Sequence, residues 1–141
     1  MRHLLFLSLL LLIACSSSNL TQSESTVNIS ELINKQWTVT SVDNKHLLHE
    51  TTISFSVSDN GKVKGNAGVN HYFGLWEVKE KQISSSKMAS TKKFGITPKG
   101  IMQQEEQFLS MLSTITQWHI ERGELQLFDD NGTVIRLQLS Q

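Results

Sequence analysis

TPKGIMQQEEQFLSMLSTI, residues 97–115, is the stretch that decides the fold class. Its apolar residues Ile101, Phe108, Leu112 and Ile115 recur at helical spacing, with Leu109 beside them. That is the period of an amphipathic helix, which buries one stripe and leaves the opposite face to solvent. The spacing predicts a helix over 98–115. Thr97 suits the N-cap and Pro98 the first helical position, where a missing N–H costs nothing. Glu105 and Glu106 are both placed on the polar side of this wheel.

Outward from the helix, the pattern changes to a period of two. Gln36 to Val42 is dominated by β-branched residues, and Thr52 to Val57 alternates Ile53, Phe55 and Val57 with polar neighbours. Asp59-Asn60-Gly61 marks a turn, and Lys62 to Asn66 reads as the returning strand of a hairpin. Tyr72 to Val78 and the serine-rich Gln82 to Lys87 are two further strands, the second near an edge. Beyond the helix, Gln117 to Glu121, Leu125 to Phe128 and Thr133 to Leu139 form a closing meander. Its turns are supplied by Arg122-Gly123 and Asp130-Asn131-Gly132. Several strands, one helix and three more strands make an α+β, mostly antiparallel domain.

Composition allows one such domain and little else. The 141 residues carry 13 Lys+Arg against 13 Asp+Glu, 38% hydrophobic residues, three Trp and six Phe. A core can form, and the basic footprint of a nucleic-acid binder is missing. The single cysteine, Cys15, rules out an intramolecular disulfide framework and any multi-thiolate metal site.

The amino-terminal segment reads as an address. Arg2 precedes an apolar run from Leu4 to Ile13, too short to span a bilayer as a helix but suited to a signal peptide. Leu12-Ile13-Ala14-Cys15 resembles the bacterial lipobox, which implies cleavage before Cys15 and acylation of its sulfur and new amino group. Residues 1–14 are then the signal peptide. Residues 15–28 are the lipidated cysteine with a Ser/Thr-rich tether, and 29–141 the folded domain. Ser16, rather than Asp, follows the cysteine, so the resemblance implies sorting to the periplasmic face of the outer membrane. Loss of Arg2 leaves 12 basic against 13 acidic residues, a net charge of −1. Several acyl chains give the multiple signals that stable membrane attachment requires.

One further stretch carries a family likeness. Leu32 and Trp37 open a strand, followed by Ile53-Ser54-Phe55 and the Gly61 turn. Then come Gly65-Asn66-Ala67-Gly68-Val69-Asn70-His71-Tyr72-Phe73-Gly74, Met88-Ala89-Ser90-Thr91, the helix with Glu105 and Phe108-Leu109, and Leu125-Gln126-Leu127. Together these resemble the META domain of the HslJ-like bacterial heat-shock lipoproteins. The resemblance implies a partly open antiparallel barrel of about seven or eight strands, with one helix before the last three. It implies a structural motif at Gly65, Gly68, Asn70, Tyr72, Gly74 and Thr91. It also implies an envelope or stress-tolerance module with no agreed biochemical activity. Many members carry Cys where Val69 and Gly95 stand, so whatever that pair contributes elsewhere does not operate here. A fold-level analogy to pilotin lipoproteins gives an alternative: a carrier whose apolar cleft holds a lipid tail or an amphipathic helix of a secretion component.

Candidate chemistry is thin. His46, His49 and Glu50 superficially resemble a metal cluster, but no further ligand follows at a useful spacing and two loop histidines are ordinarily solvated. His71 and His119 sit alone in strands. No nucleophile elbow, zinc-protease helix, phosphate loop or dinucleotide fingerprint occurs. The glycines and Asn66 and Asn70 suit a tight bend between strands, because Gly permits close backbone approach and Asn bonds to nearby backbone. Lys87, Lys92, Lys93 and Lys99 form a basic stretch that reads as a solvated loop face, with acidic headgroups near the anchor as the alternative. The expectation is a module without enzymatic activity, cofactor or metal. It is held to the membrane through Cys15, and an envelope protein partner is left open.

Overall fold

The computed structural model describes residues 28–141. The expected signal peptide, the lipidation site Cys15 and the tether up to residue 27 lie outside the described residues. Each period-two segment forms a strand: β1 (Trp37–Val42), β3 (Ser54–Val57), β4 (Lys62–Asn66), β5 (His71–Lys79), β6 (Gln82–Ser85), β8 (Gln117–Glu121), β9 (Glu124–Phe128) and β10 (Val134–Leu139). Two-residue strands β2 (Lys45–His46) and β7 (Ala89–Ser90), and a short 3-10 turn at Ile29–Glu31, were not signalled by periodicity. Such short pieces show no alternation to detect.

The eight longer strands form a closed antiparallel ring in the order β10-β9-β8-β6-β5-β4-β3-β1, completed by pairing of β1 with β10. The β1–β10, β9–β10 and β8–β9 ladders each carry five register pairs. The joint between β6 and β8 has a single one, Gln82 with Gln117, so the barrel is thinnest there. The inward residues fill the interior: Trp37, Phe55, Tyr72, Trp76, Trp118 and Leu137 are all at most 4% exposed. Each side chain of this kind contributes about 1.5–3 kcal/mol on burial.

The helix, α1 (Ile101–Leu112), is shorter than its apolar spacing suggests. Thr97 and Pro98 lie outside it. Gly100 is the N-cap residue at φ +92°, a left-handed conformation through which an α-helix cannot run. Ile115 is buried as expected but lies beyond the helix, on the way to β8. Phe108 and Leu112 are fully buried, and the Phe108 ring meets Tyr72 edge-on at 5.4 Å. The larger correction concerns Glu105, which is 4% exposed and belongs to the buried stripe, whereas Glu106 faces solvent.

Candidate functional site

The β4–β5 hairpin bends through residues 67–70, where the Ala67 N–H donates to the Asn70 carbonyl at 2.7 Å. Asn66 steadies the bend by accepting from the Gly68 N–H at 2.8 Å. Gly68 takes φ +119°, and a Cβ there would stand 3.1 Å from Ile101 Cδ1, so both backbone and space favour glycine. This bend turns two N–H groups toward the helix.

Glu105 receives them. Its Oε2 accepts from the Val69 and Asn70 N–H groups at 2.9 and 2.8 Å, and Oε1 accepts from Asn70 Nδ2 at 2.6 Å. Burying a carboxylate is costly unless donors replace water. Three donors do so here, and charge-assisted bonds of this kind are the strong ones. Asn70 is itself 2% exposed and uses every valence of its amide. Nδ2 also donates to the Lys93 carbonyl at 3.0 Å, while Oδ1 accepts from Thr91 Oγ1 and the Lys93 N–H, both at 2.7 Å. One asparagine and one glutamate thus tie together the hairpin bend, the helix and the loop after β7.

The other motif residues serve the same corner. Tyr72 donates its hydroxyl to the Ser54 carbonyl at 2.8 Å, and burial pushes its phenol well above the usual range, so it stays a donor. Gly65 and Gly74 lie in strands rather than in the bend. A Cβ on Gly65 would stand 1.9 Å from the Ser54 carbonyl oxygen, and one on Gly74 2.5 Å from Met88 Sδ. All six motif positions therefore have a structural reason, in packing or in hydrogen bonding. Periodicity could have found the seventh residue, Glu105, because the buried series 101, 105, 108, 112 passes through it at steps of four, three and four.

The histidines do not gather. His46 and His49 are exposed, with His49 Nδ1 3.9 Å from Glu50 Oε1, and His71 lies at the exposed start of β5. Among the described residues no three His, Asp or Glu side chains come together as a metal site. A groove of about 690 Å³ runs beside α1, lined by Met88, Met102 and Leu109 but equally by Lys87, Glu106 and Ser110.

The family is settled by a match of the META domain sequence profile to residues 30–141. The chain belongs to the META domain family. The corner built on Gly68, Asn70 and Glu105 lies within this META domain. Val69 and Gly95, the positions where the resemblance implies Cys in many members, face one another: Val69 Cγ2 stands 2.6 Å from where a Gly95 Cβ would be. A valine methyl against a bare glycine fills that space without a thiol. Among curated proteins no relative matches the chain. Two solved structures resemble this META domain in fold. One NMR structure is 16% identical with a TM-score of 0.64, covering 80% of this chain and 95% of its own. Another, of a protein from Burkholderia xenovorans, is 21% identical with a TM-score of 0.63, covering 79% and 86%.

Proposed function

We propose that this META domain is a non-enzymatic module of the bacterial cell envelope, carried on a lipid anchor at Cys15 at the periplasmic face of the outer membrane. One observation carries the reading. The polar groups that most resemble a site, Asn70, Glu105 and Thr91, spend their hydrogen bonds on one another and on backbone. A catalytic constellation needs an acid, base or nucleophile with capacity left for substrate. The lipobox-like Leu12-Ile13-Ala14-Cys15 supplies the envelope half of the reading. The side chains that fill the barrel weigh against a pilotin-like cleft inside it. In bacterial cells, Cys15→Ser should abolish labelling by a clickable palmitate analogue and leave uncleaved precursor. Continued labelling of that variant would sink the anchor.

A further inference from the structure

The loop that Asn70 holds has a pattern of its own. Between Glu80 and Glu105 the chain has five lysines and no aspartate or glutamate. All five, Lys81, Lys87, Lys92, Lys93 and Lys99, are exposed, and none makes an ion pair among the described residues. Amid these charges stand Phe94 and Ile96, 83% and 77% exposed, more than the other large hydrophobic side chains among the described residues.

The backbone beneath them is fastened at alternate residues. Thr91 bonds to Asn70 through its hydroxyl, and Lys93 through both its N–H and its carbonyl. The Gly95 N–H reaches Met102 Sδ at 3.3 Å, with Val69 packed on the glycine. Lys92, Phe94 and Ile96 make none of these bonds, and their side chains are exposed. Two apolar side chains, one residue between them, are thereby kept in water, and burying them against a partner would be favourable.

We propose that this loop is a membrane-contact element. Phe94 and Ile96 enter the interfacial region of an anionic bilayer, while Lys87, Lys92, Lys93 and Lys99 remain at the headgroups. Lysines around an apolar tip match such a surface in both charge and depth, because anionic leaflets attract basic segments and the interface accepts apolar side chains. A protein partner is a poorer fit, since a stable protein interface needs about 800 Å² and 20–30 residues on each side. The contact does not depend on lipidation. Where Cys15 is acylated, the 12 residues from 16 to 27 span at most about 40 Å, which keeps the loop within reach of the bilayer.

The eight strands of the ring, α1 and the core residues named above all lie within residues 28–141, and a neighbour of the same fold consists almost entirely of this barrel. The fragment 28–141 therefore tests the loop without the anchor. It should sediment with vesicles of phosphatidylethanolamine and phosphatidylglycerol and not with phosphatidylcholine alone. F94S/I96S should lower partitioning by about tenfold or more. K92Q/K93Q should lower it and flatten its salt dependence. Both should melt at the wild-type temperature, and Phe73→Ser, on the exposed face of β5, should bind normally. The proposal is overturned if the wild-type fragment ignores anionic vesicles or F94S/I96S binds as well as wild type. It is equally overturned if Phe73→Ser removes binding, or if the fragment instead self-associates through Phe94. Palmitate labelling of the full chain reads the anchor separately, so the two failures are distinguishable.

Discussion

In the wall formed by β8, β9, β10 and β1, each strand is joined to the next by five register pairs, with Leu125, Leu127, Ile135 and Leu137 fully buried behind them. At the corner where the hairpin bend, the 91–95 loop and α1 meet, no such ladder runs between the segments. One carboxylate and one amide do most of the joining. The wall distributes its stability over many small, interchangeable contacts. The corner concentrates it in a few buried polar bonds, each of which leaves an expensive orphan when its partner is removed. Backbone pairing suits a surface that need only be closed. A discrete polar knot suits a place where three segments must meet in one geometry.

Phe108 is where the two regions touch, since its ring lies in the core one turn along from Glu105. Phe108→Ala should cost about 3–5 kcal/mol in urea denaturation, the largest single loss expected. A penalty under about 1 kcal/mol would mean that the helix is not part of the barrel core. Glu105→Ala should cost about 2–4 kcal/mol, because three donors lose their acceptor. Glu105→Gln should recover less than half of that, since its amide turns N–H groups toward N–H groups. A double-mutant cycle with Asn70→Ala should show coupling of about 1–3 kcal/mol, and simple additivity would dissolve the knot into independent contacts.

Asp129 offers a smaller test, in the β9–β10 turn at the end of the wall. Slight burial alone would raise its pKa, but hydrogen bonds from Thr133 and Asn131 hold it below the ordinary value. A carboxyl depressed in the folded state stabilises above its unfolded pKa of about 3.9, and that contribution fades as pH falls through the folded value. Asp129→Asn should therefore melt slightly below wild type at neutral pH and match it in acid. A difference that persists in acid would trace to turn geometry instead of charge. Last, Glu106→Ala should change stability by less than about 0.5 kcal/mol, although it adjoins the most sensitive carboxylate of the molecule.

That contrast between neighbouring glutamates marks how far the residues alone can be read. Alternation in Ile53-Ser54-Phe55-Ser56-Val57 and the Asp-Asn-Gly turns located the strands, because burial on one face of a sheet leaves a direct trace in residue type. The closure of β1 on β10 leaves none, since ring formation is a matter of accumulated twist and stagger. Thr97-Pro98 reads as a helix start by local preference, yet Gly100 two residues on moved that start to Ile101. Glu105 was hidden for a different reason. A carboxylate is assigned to solvent by type, and only the Val69 and Asn70 N–H groups, 36 and 35 residues away in sequence, make its burial favourable.

The single register pair between β6 and β8 makes that joint the place where the barrel should open first. Beyond Gln82 and Gln117, that joint is held by the Ile83 N–H to the Thr116 carbonyl and the Trp118 N–H to the Lys81 carbonyl. Parting it turns a cylinder into a curled ribbon while the five-pair ladders stay intact. Amide exchange of Ile83 and Trp118 should therefore run ahead of that of the β10 amides, even though Trp118 is as buried as the core. The chain between β6 and β8, which carries the Phe94 loop and α1, spans this slit like the strap of a purse.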